Sequence, residues 1–263
     1  MNLASVRHKT EVLVMKAMCQ MMGELNSDGS ASCTRILFGP LKGMVFWMPR
    51  LERLSFPLGT YEKHIVQCMA KYVRSGMTVY DIGANAGYLT MVLSKLVGPT
   101  GHVVAFEPDP KNIAALSLNI QTNRLANVTL LQRAVSDQTG TVSFATFDYS
   151  LVGHIAHAHT PSDAQILAVD ATKLDDLVYR EGFPAPEFIK VDVEGAEDSV
   201  IRGSLCVLDR ARPMVVIEVR PGRSYEETSA AFRESGYIEK PIKGAPQIST
   251  EYYTDLLFVP KTS

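Results

Sequence analysis

The stretch VYDIGANAGYLT, residues 79–90, decides the fold. It opens as an apolar strand, breaks at Gly83, and after Gly87 takes up the spacing of a helix. A strand that runs through a glycine turn into a helix is the first βα unit of a parallel sheet, where nucleotide-like ligands are held. The glycines stand as Gly-x-x-x-Gly, and Asp81 lies two residues before the first of them.

Downstream, the same alternation continues. MTVYDI is followed by a helix over 87–97 with Leu89, Val92, Leu93 and Leu96 on one side, and then by the strand HVVAFE (102–107). Asp109 and Pro110 supply an N-cap and a first-turn proline for a helix reaching about Asn123. NVTLLQRAV reads as a third strand and EFIKVD (187–192) as a fourth. A helix with Ile201, Leu205 and Leu208 on one face follows, and MVVIEV (214–219) is the fifth strand. β-Branched runs alternating with amphipathic helices predict a doubly wound, mostly parallel α/β sheet covered on both faces. The last two strands, GYIEKPI and YYTDLLFV, leave no room for a helix between them and are expected to be antiparallel. TVSFATF and AQILAV add strand material around a loop, 148–163.

Upstream, residues 60–73 read as a helix, and 34–49 as two short strands about a turn at Gly39 and Pro40. Residues 23–32 are a polar linker, and Leu13, Ala17 and Met21 mark an amphipathic helix near the start. The expected division is an N-terminal extension, 1–58, serving as a lid or dimer contact, and a ligand-binding domain, 59–263.

The 263 residues, 46% of them hydrophobic, suffice for one large α/β domain with an appendage. A net charge of −2 offers no field for a long nucleic acid or an anionic membrane. Four separated cysteines indicate reduced thiols and a cytoplasmic protein. No apolar run approaches the roughly 18 residues of a membrane span. The first 25 residues lack the uninterrupted core of a signal peptide.

Ligands of such a sheet lie beyond the carboxyl ends of its strands, which is where Asp81, Gly83 and the turn 84–87 fall. Glycines there let backbone approach a ligand, and the next helix presents its N-terminal amides. Glu107 ends the neighbouring strand and can accept from both ribose hydroxyls of an adenosine-type cofactor. NAD and S-adenosylmethionine both fit this outline. The third glycine of a dinucleotide motif is missing, and Asn85 fills the place of its second. The Asp81 carboxylate would repel a pyrophosphate but suits an ammonium. S-adenosylmethionine is favoured.

Residues 58–120, with DIGANAGYLT and FEPDP, then RAVSDQTGTVSF, IKVDVEGAE and the terminal TDLLFVP, resemble the FkbM-type family of S-adenosylmethionine-dependent methyltransferases. The resemblance covers about 58–260. It implies a seven-stranded, Rossmann-like class I methyltransferase fold. It assigns Asp81, Gly83, Ala84, Asn85 and Gly87 to the methionine part of the cofactor, and Glu107 with Pro108 to the ribose side. It sets Ala134, Val135 and Ser136 near the adenine, and has Tyr61 and Glu62 close over the cofactor. Members of the family mostly methylate hydroxyls of sugars and natural products, with nitrogen acceptors also found, and leave S-adenosylhomocysteine.

On the acceptor side, Asp192 ends the fourth strand and borders the transferred methyl group. Asp192 and Glu194 are candidates for a general base, for orienting substrate, or for holding a divalent cation; Asp192 also counts among the cofactor contacts. Glu197 reads as a helix cap. His154, His157 and His159 crowd one loop; His154 is the candidate base, against a solvated loop or a metal site as the other readings. No metal site is assigned. The expected partner is a small-molecule acceptor, with a homodimer through the extension also open. A non-catalytic cofactor-binding subunit, an N-methyltransferase and an NAD oxidoreductase are the competing readings. A base-modifying enzyme is disfavoured, since DVEG replaces the Pro-Pro-aromatic turn of such enzymes and basic bias is lacking.

Overall fold

The computed structural model describes residues 32–48, 54–146, 154–155, 164–219, 222–245 and 253–261. The amphipathic helix expected near the start and most of the 148–163 loop, with His157 and His159, lie outside the described residues.

The main sheet has the strand order β12-β13-β11-β10-β3-β4-β5. The half that comes first in the chain is β3 (Thr78–Ile82), β4 (His102–Phe106) and β5 (Val128–Leu131), and the other half is β10 (Phe188–Val191) and β11 (Met214–Val219). These five are mutually parallel. The chain leaves β3 in one direction and returns to lay β10 on its other side, so the strand order reverses between β3 and β10. That switch point opens the crevice in which such sheets bind ligands. β13 (Thr254–Pro260) runs antiparallel between β11 and β12 (Tyr237–Pro241), as the short connection requires.

Both faces of the sheet are buried, which is why its strands read as continuous apolar runs. On one face pack α1 (Lys63–Tyr72) and α2 (Tyr88–Val97), with Ile65, Met69 and Val73 against Leu89, Val92 and Leu93. α3 (Pro110–Thr122) sets Leu116 against Ala84 and Ala105. Its N-cap is Asp109, whose carboxylate accepts from the Lys111 amide at 2.8 Å. The other face carries α4 (Leu174–Tyr179), α5 (Glu197–Arg202), α6 (Leu205–Arg210) and α7 (Arg223–Glu234).

Three expectations are corrected. NVTLLQRAV is two strands, because the chain leaves the main sheet after Leu131 and Arg133 turns outward to pair with Glu181 at 2.8 Å. Beyond it β6 (Ala134–Val135) joins a second sheet, β6-β9-β7-β8, with β7 (Gly140–Thr146), β8 (His154–Ile155) and β9 (Gln165–Thr172). The single helix expected after the fourth strand is broken into α5 and α6 at Gly203, which packs against the Ser136 carbonyl where a Cβ would overlap it. The break resets the helical phase, so Leu205 is exposed while Val207 and Leu208 are buried. Finally, α4 and α7 went unread. α7 has little apolar surface beyond Phe232, which stacks on Phe258 with centroids 3.9 Å apart.

The expected hairpin forms from β1 (Ser32–Arg35) and β2 (Val45–Met48). The edge of β2 away from β1 is satisfied by two carboxamides of α3. Asn119 accepts from the Trp47 amide at 2.6 Å and donates to the Trp47 carbonyl at 2.7 Å. One turn on, Asn123 makes the same pair of bonds with Val45 at 3.0 and 2.7 Å. Asn119 also donates to the Ala86 carbonyl at 2.7 Å, tying the hairpin to the glycine turn.

Candidate active site

At the switch point a cavity of about 290 Å³ opens over the carboxyl ends of β3, β4, β10 and β11. The glycine turn forms its floor. Gly83, Asn85 and Gly87 have φ of 76°, 51° and 92°, in the left-handed region. A Cβ on Gly83 would overlap the Asp192 carbonyl, and one on Gly87 would strike Leu116. These glycines therefore let β3 abut β10 and α2 abut α3, a protein-packing need beyond the ligand approach expected of them.

Glu107 is buried, and both its oxygens are held. The Asn85 amide donates to Oε2 at 2.8 Å and the Asp109 amide to Oε1 at 2.9 Å, with Asn112 at 3.4 Å. Burial pushes its carboxyl up to about 7 despite these donors.

Ala84, Asn85, Gly87, Pro108, Ala134, Val135, Tyr61 and Glu62 line the same cavity, as do Gly83, Glu107, Asp192 and Glu194. Two expected contacts lie elsewhere. Ser136 is buried outside the wall, its amide bonded to the Thr172 carbonyl. Asp81 is fully buried under the turn, where Thr90 donates to Oδ2 at 2.5 Å and the Lys190 ammonium stands 3.4 Å from Oδ1. The ammonium that meets Asp81 is thus supplied by the chain, in place of the ligand ammonium expected there. The cause is register: Lys190 of β10 lies directly opposite Asp81 of β3.

Lys190 also donates to the Gly83 carbonyl at 3.0 Å and lies 3.4 Å from Asp192 Oδ2. Burial opposes its charge, but Asp192, Asp81 and Glu62 outweigh that and raise its pKa above the ordinary lysine value. Sequence reasoning passed over it, although a lysine inside the apolar run FIKV was a visible signal.

Glu218, at the carboxyl end of β11, was also missed. The rule that singled out Asp192 at the neighbouring strand end would have found it. Oxygens of Asp192, Glu194 and Glu218 lie within 4.8 Å of one another, a spacing that a divalent cation could bridge. Burial, then Asp192, pushes the Glu218 carboxyl up to about 10. Burial, reinforced by Asp192, likewise raises Glu62 to about 7. Asp255 borders this group and is raised by burial, although His64 bonds to it at 2.6 Å. Glu62 and Glu194 both hold left-handed backbone, at φ 42° and 55°, where a glutamate is strained. Glu197 opens α5 and accepts from the Gly195 amide at 2.6 Å, just ahead of the helix, instead of capping a helical amide.

Phe46, Met48, Phe56, Tyr61 and Tyr88 also line the cavity. The backbone of His154 lies in β8 opposite Ala145, and its neighbour Ile155 lines the cavity.

A doubly wound sheet with a reversed last strand inserted beside β11, and with its cavity over a glycine turn and a strand-end glutamate, defines the class I S-adenosylmethionine-dependent methyltransferases. The profile of the Methyltransferase FkbM domain matches residues 81–239, more than half of the chain, and the chain belongs to that family. Over 174 residues it is 24% identical to the hexuronic acid methyltransferase AglP of Haloferax volcanii, covering 66% of this chain and 69% of AglP. It is 30% identical over 182 residues to the 31-O-demethyl-FK506 methyltransferase FkbM of Streptomyces tacrolimicus, covering 58% of this chain and 67% of that protein. Among solved structures it is similar to the methyltransferase FkbM of Methylobacillus flagellatus KT, with a TM-score of 0.47 and 20% identity. That match covers 70% of this chain and 43% of the solved one.

The residues present fit the cofactor. The cavity is concave, the amides at the start of α2 face it, and Glu107 is fixed by backbone donors at its edge. When bound, S-adenosylmethionine supplies an electrophilic methyl group on a sulfonium.

Proposed function

We propose that this chain methylates a hydroxyl group of a sugar or natural-product small molecule, with Asp192 taking up the hydroxyl proton. One observation carries the reading: Asp192 faces the cavity directly beyond the Gly83 turn, oriented by the Lys190 ammonium 3.4 Å away. Methyl transfer from a sulfonium needs alignment above all, and an alcohol acceptor additionally needs a base. In this reading Glu107 receives the ribose, Asn85, Ala84 and the turn glycines follow the methionine portion, and Ala134 and Val135 flank the adenine. Glu194 orients the acceptor, and His154 is the alternative base. The names of the relatives support an oxygen acceptor, since one is a hexuronic acid methyltransferase and the other acts on 31-O-demethyl-FK506.

Residues 1–58 would serve as a lid or as a dimer contact. Phe46, Met48 and Phe56 already line the cavity from that side. No helix among the described residues is long and apolar enough to cross a membrane, in keeping with a cytoplasmic enzyme. A nitrogen acceptor is the second reading, favoured by the crowding of Asp192, Glu194 and Glu218, which would attract an amine. A screen of sugars, polyketide-like alcohols and amines for S-adenosylhomocysteine release tests both. With the acceptor found, a rate that rises with pH through an imidazole-like ionisation, and flattens in His154→Ala, would move the base from Asp192 to His154.

A further inference from the structure

The cavity is lined by both carboxylates and aromatic rings. Glu62, Asp192, Glu194 and Glu218 reach it. The lysine there, Lys190, is already committed to Asp81, Asp192 and the Gly83 carbonyl. Tyr61 stacks on Phe56 at 4.4 Å and meets Tyr88 edge-on at 5.3 Å. The Tyr61 hydroxyl bonds to the Glu62 carboxylate, joining the two groups.

Tyr88 adds a second ring to the cavity lining, meeting Phe46 edge-on at 5.5 Å as well as Tyr61.

We infer that this wall selects for positive charge on the cofactor's sulfur: Glu62 and Asp192, with the rings of Tyr61 and Tyr88, hold the sulfonium of S-adenosylmethionine and release the neutral thioether of S-adenosylhomocysteine. The inference rests on the reading of the glycine turn and Glu107 as the cofactor cradle. Carboxylates and aromatic faces both attract a cation and gain nothing from a neutral sulfide. Methyl transfer leaves the S–CH3 bonding pair on sulfur and so removes the charge that the wall attracts. Discharge of the product is then built into the same residues that seat the substrate. The adenosine, ammonium and carboxylate are common to both ligands, so the ratio of their affinities isolates the sulfur.

The test is calorimetric titration of the full chain without acceptor, at pH 8, where Glu62 carries its charge. The probes are S-adenosylmethionine, S-adenosylhomocysteine and sinefungin, whose protonated amine replaces the methylsulfonium. The expected result is S-adenosylmethionine bound about tenfold tighter than S-adenosylhomocysteine, with sinefungin on the tighter side. Glu62→Gln and Tyr88→Leu should each cut the ratio to about threefold or less. A wild-type circular dichroism spectrum in both variants shows that they are folded. Equal or tighter binding of S-adenosylhomocysteine, or a ratio that neither variant changes, overturns the inference. Failure of all three probes to bind overturns the cradle reading as well.

Discussion

Lys190 and Gly83 meet across two neighbouring strands, the ammonium donating to the carbonyl at 3.0 Å while it stands 3.4 Å from Asp81 and from Asp192. One cation thus holds the glycine turn, a fully buried carboxylate and the cavity carboxylate of Asp192 in one arrangement. Lys190→Met leaves Asp81 charged and buried without its counter-ion, a loss of about 3–5 kcal/mol. Lys190→Met combined with Asp81→Asn should recover most of that in urea denaturation. A double variant no more stable than the single one would show that the Asp81 charge is not what Lys190 offsets.

Glu107→Ala should weaken S-adenosylmethionine binding roughly tenfold or more, since charge-assisted hydrogen bonds contribute about 1.5–3 kcal/mol. Unchanged affinity in calorimetry would remove the ribose from Glu107.

The same residue sets a pH dependence in the ligand-free chain. Its carboxyl titrates near 7 when folded, against an ordinary 4.5. Between those values the unfolded chain has released a proton that the folded chain keeps. Stability from this group is therefore full below about pH 4.5, falls as pH rises to 7, and is flat above, a total on the order of 3 kcal/mol. Glu62, also titrating near 7, slopes the same way. Denaturation at a series of pH values should show a shallower fall in Glu107→Gln; an identical slope would assign the dependence elsewhere.

Asp192→Asn should depress turnover far more than cofactor affinity, by about 10²–10⁴-fold if a positioned base is lost. Chelation with EDTA should leave the wild-type rate unchanged. A Mg²⁺ requirement that disappears in Asp192→Asn would instead make Asp192, Glu194 and Glu218 cation ligands.

Glu194 sits at φ 55° beside two other carboxylates. Glu194→Gly relieves both strain and crowding and should raise stability by about 1 kcal/mol while turnover falls. A lower melting temperature would show that the side chain's own contacts outweigh the strain.

What the sequence made legible follows from physical range. Strand, turn and helix at 79–90 are local, and so is the Asp109 cap, so both could be read directly. Asp192 was legible because a carboxylate at a strand end is conspicuous, and Glu218 deserved the same reading. The Asp81 contact was misread because its partner, Lys190, comes from a strand paired only through the sheet register, far along the chain. Phe46, Phe56, Tyr61 and Tyr88 come from separate segments whose convergence no spacing announces. The division of 197–210 into two helices turned on a contact between Gly203 and Ser136, which is again non-local.

The paired asparagines of α3 have a mechanical consequence. Asn119 and Asn123 clamp β2 by four hydrogen bonds, and Asn119 extends a further one to Ala86. Swinging the hairpin away would rupture all of these together, so the flank bearing Phe46 and Met48 is the door frame.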